Sequence, residues 1–152
     1  DLGSVEEPPA AAGAVFTSTG AEVVVAFDDA TDMASRSAGV RFPCADVLDF
    51  PGAGGAACYW ANSNEVVADA AAAPDLYPGD DVTLLPGVLR RRCDGFRCEC
   101  DRPANASSAV VEAPSPPLAV RAILQGPTTV SDCEAVELDA SLSTGSGGRA
   151  FA

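Results

Sequence analysis

Six cysteines and no histidine in 152 residues constrain this chain more than any other feature. An even cysteine count set among short β-like runs points to disulfides, and therefore to an oxidising compartment outside the cytosol. A chain without histidine has no Ser/His/Asp or Cys/His nucleophile system and no imidazole to hold a metal. The triplet Asn105-Ala106-Ser107 is an N-glycan acceptor, and Asn105 is the residue that would carry the sugar. The expectation is an extracellular protein that is not an enzyme.

Bulk composition narrows the partners. Hydrophobic residues make up 47% of the chain, but much of that share is alanine, and there are only six Phe, one Trp and one Met. Such a core is thin, so each disulfide would matter, typically by roughly 2–4 kcal/mol. A net charge of −13 repels phosphates, which argues against nucleic acid, and Arg90-Arg91-Arg92 is the one local basic patch. The acidic surface suits solubility, cation attraction or a basic protein partner. All nine basic residues are arginine, which with the Ala, Gly and Pro excess reads as the codon bias of a GC-rich genome. No run of about 20 apolar residues exists, so no membrane span is expected. There is no initiator Met and no signal-peptide pattern, so the expectation is a mature or internal portion of a longer protein.

Along the chain, residues 1–11 read as a linker or arm. Val15-Phe16-Thr17-Ser18 and Ala21 to Phe27 read as a hairpin turning at Thr19-Gly20, with Val23, Val25 and Phe27 on one face at period two. Asp28 to Asp32 is an acidic turn. The Pro/Gly-rich stretch from Cys44 to Cys58 reads as loop, and Cys58 to Ala61 and Glu65 to Ala68 as two strands. Residues 69–73 are alanine-rich, but Pro74 follows at once, which argues against a helix. Asp81 to Leu84 alternates again after the Pro78-Gly79-Asp80 turn, and Val88-Leu89-Arg90 is extended. Short strands with frequent turn signals predict an all-β fold: a disulfide-stabilised, Ig-like β-sandwich over residues 12–102. Residues 103–117, rich in Pro, Ala and Ser, read as a linker. Strand character returns at Leu118 to Leu124 and at Glu134 to Ala140, with Val136, Leu138 and Ala140 inward. Residues 118–152 are thus expected to be the first strands of an incomplete second β-sandwich module.

The stretch from Thr128 through Cys133 and Val136-Glu137-Leu138-Asp139-Ala140-Ser141-Leu142-Ser143 to Gly147-Gly148-Arg149 resembles the opening of a receptor-for-egg-jelly (REJ) module, found in polycystin-like and many algal surface proteins. The run from Ala14 to Arg92 resembles a β-rich module that often precedes it, through Phe16-Thr17-Ser18, Val23 to Asp28, Ala30-Thr31-Asp32, Cys44, Cys58-Tyr59-Trp60 and Pro78 to Leu84. The resemblance covers about two thirds of the chain and implies a non-catalytic segment of a large cell-surface glycoprotein of ciliary or flagellar type. The strand and tryptophan expected after Arg149 are absent, which departs from a complete REJ module.

Cys44 and Cys58 bracket the Pro/Gly loop, and loop plausibility and the resemblance together favour their pairing. Cys93, Cys98, Cys100 and Cys133 admit three pairings; Cys93–Cys100 or Cys93–Cys98 is preferred, with the remaining cysteine reaching Cys133, and a four-thiolate zinc site is the rival. Asp28, Asp29 and Asp32 are the candidate calcium ligands, with Asp80 and Asp81 on another turn; Asp also favours turns for purely local reasons. No other cofactor is called for. Trp60 reads as a core residue packed on the Cys58 disulfide rather than as a ligand platform. Arg90-Arg91-Arg92 reads equally as a docking patch or as edge-strand protection. The expected partners are other proteins of a surface assembly. The alternative is a calcium-dependent glycan-binding module using Tyr59, Trp60 and the Asp28 to Asp32 loop.

Overall fold

Alternation of buried and exposed valines builds the centre of the fold. In the computed structural model, which describes residues 7–93, 102–115 and 119–146, strands β1 (Ala11–Phe16) and β2 (Glu22–Phe27) pair as an antiparallel hairpin. Val23, Val25 and Phe27 turn inward while Glu22, Val24 and Ala26 turn outward, as the period-two pattern requires. The remaining strands are β3 (Phe42–Pro43), β4 (Leu48–Asp49), β5 (Ala57–Asn62), β6 (Glu65–Asp69), β7 (Asp81–Leu84) and β8 (Ser107–Glu112). No α-helix occurs among the described residues, including the alanine-rich stretch before Pro74.

One eight-stranded sheet runs in the order β3-β5-β6-β2-β1-β8-β7-β4. Its pairs are antiparallel except β1–β8, which is parallel. Strands β3 and β4 stand at opposite edges, yet β3 ends at Pro43 and β4 begins at Leu48. Five residue steps span at most about 18 Å, so the two edges must approach each other and the sheet is curled. The short 3₁₀ turn Cys44–Asp46 makes that crossing. A single hydrophobic cluster fills the curl, with Val25, Leu48, Trp60, Val66, Leu84 and Val111 contributed from six different strands.

The all-β class is as expected, but a single curled sheet stands where the sequence suggested two facing sheets of an Ig-like sandwich. The expected linker over 103–117 needs correction as well. Its Ser107–Glu112 segment is β8, which buries Ala109 and Val111 and joins β1 to β7. The Ser107 hydroxyl accepts a hydrogen bond from the Ala11 N–H at 2.9 Å, tying β8 to the start of β1. Ala11 itself, placed in the arm by composition, opens β1.

The segment between Cys44 and Cys58 is not a surface loop either. Val47, Leu48, Phe50, Ala53 and Ala56 are buried there. Gly52 is essential to its path: its φ of +89° is the left-handed region, and a Cβ would stand 3.0 Å from Ala73. In the C-terminal part, the two expected strands reduce to isolated bridges, Arg121 with Thr144 and Gln125 with Asp139. Val136 and Leu138, expected inward, are 52% and 58% exposed, and Ala140 is exposed too. Too few neighbouring strands are present in this stretch to cover them.

Candidate functional site

Strand register assembles a polar groove among the described residues. On the outer face of the sheet, Tyr59 of β5 lies beside Val67 of β6, which lies beside Val24 of β2. Glu22 and Asp69 face each other two residues along the same two strands. The Tyr59 hydroxyl donates to Glu22 Oε2 at 3.1 Å, so its side chain reaches across β6 to β2. Two strand spacings are about 9.6 Å, a gap that only a long side chain bridges. Val67, beneath that path, is only 6% exposed although it faces outward.

The groove has a volume of about 500 Å³ and is lined by Ala21, Glu22, Gly39, Arg41, Tyr59 and Asp69. Gly39 is held at its rim by a backbone hydrogen bond to the Trp60 carbonyl at 2.9 Å. The Arg41 guanidinium sits over the Tyr59 ring, 5.8 Å from its centroid. Partial burial, then the hydrogen bond and the negative charge of Glu22, push the Tyr59 phenol above its ordinary value, while Arg41 opposes the shift. A wall of one aromatic ring, two carboxylates and one guanidinium can hold a ligand by charge and stacking.

The sequence-derived candidates are scattered. Trp60 is fully buried, with its ring centroid 5.7 Å from that of Phe27, so it packs the core and reaches no ligand. Its Nε1 has no hydrogen-bond partner among the described residues. The Asp28 to Asp32 loop follows the far end of β2 from Glu22. Its carboxylates fasten neighbouring segments. Asp28 Oδ1 accepts from Ala10 N at 2.9 Å; Asp29 accepts from Ala30 N and pairs with Arg91 at 3.1 Å; Asp32 Oδ1 accepts from both Ala34 N and Arg90 N at 3.1 Å. These contacts give Asp28, Asp29 and Asp32 an anchoring role; among the described residues no group of three or more acidic or cysteine side chains is placed to hold a metal ion. Asp80 likewise accepts from Tyr77 N at 2.8 Å, and Asp81 opens β7.

This loop is held in an unusual shape. Met33, Ala34 and Ser35 have φ of 53°, 51° and 61°, three consecutive left-handed residues without a glycine. Thr31, fully buried, stabilises the turn by donating to the Ser63 carbonyl and accepting from Met33 N. Arg91 of the Arg90-Arg91-Arg92 patch bridges Thr31 through its backbone and pairs with Asp29 through its side chain.

The Cys44–Cys58 pairing is present, with both residues fully buried and Cα atoms 4.9 Å apart. Cys93 is also disulfide-bonded, which removes it from a four-thiolate zinc set. Cys98 and Cys100 lie outside the described residues. Cys133 is a free, exposed thiol, so the expected bridge to it is not formed. Asn105 is exposed beside a smaller groove of about 240 Å³ that includes Pro8, Pro9 and Arg102. No described helix is long and apolar enough to cross a membrane.

No protein-family model matches this chain, and no curated protein or solved structure matches it. Sequence reasoning missed Glu22, Arg41 and Asp69 as groove residues. They sit on β2, on the approach to β3 and on β6 respectively, and only cross-strand register brings them to Tyr59.

Proposed function

We propose that this chain is a non-catalytic, extracellular structural and adhesion segment of a cell-surface glycoprotein, and that it works by protein–protein contact. The observation that carries the reading is the Cys44–Cys58 disulfide, buried where the curled sheet crosses from one edge to the other. A cross-link so placed belongs to a protein that folds in an oxidising compartment. The exposed Asn105 acceptor and the REJ-like motifs from Thr128 to Arg149 support a glycosylated surface protein, and the latter a ciliary or flagellar one. The absence of histidine and the turn-anchoring use of Asp28, Asp29 and Asp32 argue against a catalytic role. The calcium-dependent glycan reading is less favoured, since Trp60 is in the core and the Tyr59 hydroxyl meets Glu22 at the end of β2 opposite the Asp28 to Asp32 loop.

The test is direct. The native protein, isolated from its source by antibody, is alkylated without reduction and mapped by mass spectrometry, while intact, unpermeabilised cells are stained with the same antibody. Surface staining, a Cys44–Cys58 cross-linked peptide and a glycan on Asn105 are expected. Intracellular staining together with fully reduced cysteines would overturn the assignment.

A further inference from the structure

The groove on the outer sheet face contains an arrangement that the fold itself does not explain. Glu22 and Asp69 are directly opposed in the antiparallel β2–β6 register. Side chains so placed share one face with Cβ atoms roughly 5 Å apart, and like charges there destabilise the pairing. Among the described residues neither carboxylate has an arginine at ion-pair distance, whereas Arg36 pairs with Asp46 and Arg91 with Asp29. Among the described residues the Glu22 carboxylate accepts from the neutral Tyr59 hydroxyl, and Asp69 Oδ1 accepts from the Ala71 N–H at 3.0 Å. Arg41, which lines the same groove, stands over the Tyr59 ring at 5.8 Å and makes no ion pair with either carboxylate.

We propose that this groove receives an arginine or lysine side chain of a partner protein, its cation between Glu22 and Asp69 and its stem along the Tyr59 ring. The inference rests on the protein-contact reading above and names the chemistry of the partner. Three observations converge on it. The opposed carboxylates have no close ion-pair partner among the described residues, and an incoming cation supplies one. Arg41 already shows that a guanidinium is accommodated on this ring, a favourable placement over an aromatic face. The groove's volume of about 500 Å³ lies in the range of ligand clefts, and a net charge of −13 steers a basic partner toward the surface. A neutral saccharide would leave the two carboxylates facing each other unrelieved.

The probe is the peptide acetyl-Gly-Arg-Gly-Arg-Gly-amide, titrated into ¹⁵N-labelled protein at low salt and followed by amide chemical shifts. Shifts centred on Ala21, Gly39, Tyr59 and Asp69 are expected, fading as salt is raised. The near-isosteric pair Glu22→Gln with Asp69→Asn should weaken binding roughly tenfold, the sum of two modest ion pairs. Arg41→Ala should strengthen it by a few-fold, because a competing positive charge is removed. Asp81→Asn, an exposed acid on β7, should leave it unchanged. Shifts spread over the whole acidic surface, or equal loss in Asp81→Asn, would mean non-specific attraction and sink the proposal. So would weaker peptide binding by Arg41→Ala, or salt-independent shifts of the same amides with tri-N-acetylchitotriose, which would make the groove a glycan site. Peptide binding here by a protein found reduced inside the cell would remove the surface assignment and leave the groove's chemistry standing.

Discussion

Replacing both Cys44 and Cys58 by alanine tests how the curled sheet is held shut. The two residues are 14 apart in sequence, and the chain between them contains the edge-to-edge crossing and β4. Opening a closed loop of about 15 residues returns chain entropy worth about 3 kcal/mol to the unfolded state. Both cysteines are fully buried, so losing two sulfur atoms, each comparable to a methylene, adds roughly 1.5 kcal/mol of lost burial and cavity. The expected total, about 4–5 kcal/mol, is a large part of the 5–15 kcal/mol typical of a domain. Trp60, the chain's single tryptophan and fully buried two residues from Cys58, reports unfolding by fluorescence in urea. The double variant should unfold at a much lower urea midpoint, with a somewhat larger m-value because its unfolded state is no longer looped. A thiol reductant is the wrong perturbation, since it would also open the disulfide at Cys93. A loss below about 1.5 kcal/mol would refute the reasoning, because the burial of Val47, Leu48 and Phe50 alone would then suffice to hold the crossing.

Other outcomes follow from single residues. Trp60→Phe should cost less than about 2 kcal/mol, against 3–5 for a typical large aromatic truncation to alanine, because it also deletes the unpartnered buried Nε1–H; urea unfolding monitored by circular dichroism measures it. Ala34→Gly should raise stability by up to about 1 kcal/mol, since φ of 51° strains alanine and not glycine; a lower urea midpoint would show that the left-handed turn carries no strain. Tyr59 holds its proton more tightly folded than unfolded, so its contribution is complete below the unfolded value near 10 and disappears as pH rises through the folded value; wild-type stability should therefore fall more steeply above pH 10 than that of Tyr59→Phe. Brief iodoacetamide treatment of the folded protein should alkylate Cys133 and spare Cys44, Cys58 and Cys93, as peptide mass mapping would show.

Local pattern carried some of this a long way. Val23, Val25 and Phe27 declared a half-buried strand, and the turn at Thr19-Gly20 declared its hairpin. Pro74 correctly countered the alanines before it. The Ser107–Glu112 strand was obscured by its proline-rich flanks, although its Ala109 and Val111 alternate as β2 does. The calcium expectation came from aspartates crowded into five residues; Asp29 and Asp32 accept from the backbone N–H groups nearest them, and Asp28 accepts from Ala10 N on the neighbouring segment.

What the amino-acid order settled by itself were properties that depend on neighbours within a few positions: strand periodicity, turn chemistry and the all-β class. Only the tertiary structure decided that β3 and β4 approach through a four-residue crossing, and that a supposed linker joins the two parts of the sheet. It alone placed Glu22 against Asp69 beneath Tyr59 and Arg41. These are matters of register between segments far apart in sequence, and register is chosen by which faces the shared core must cover, a condition no short stretch of chain contains.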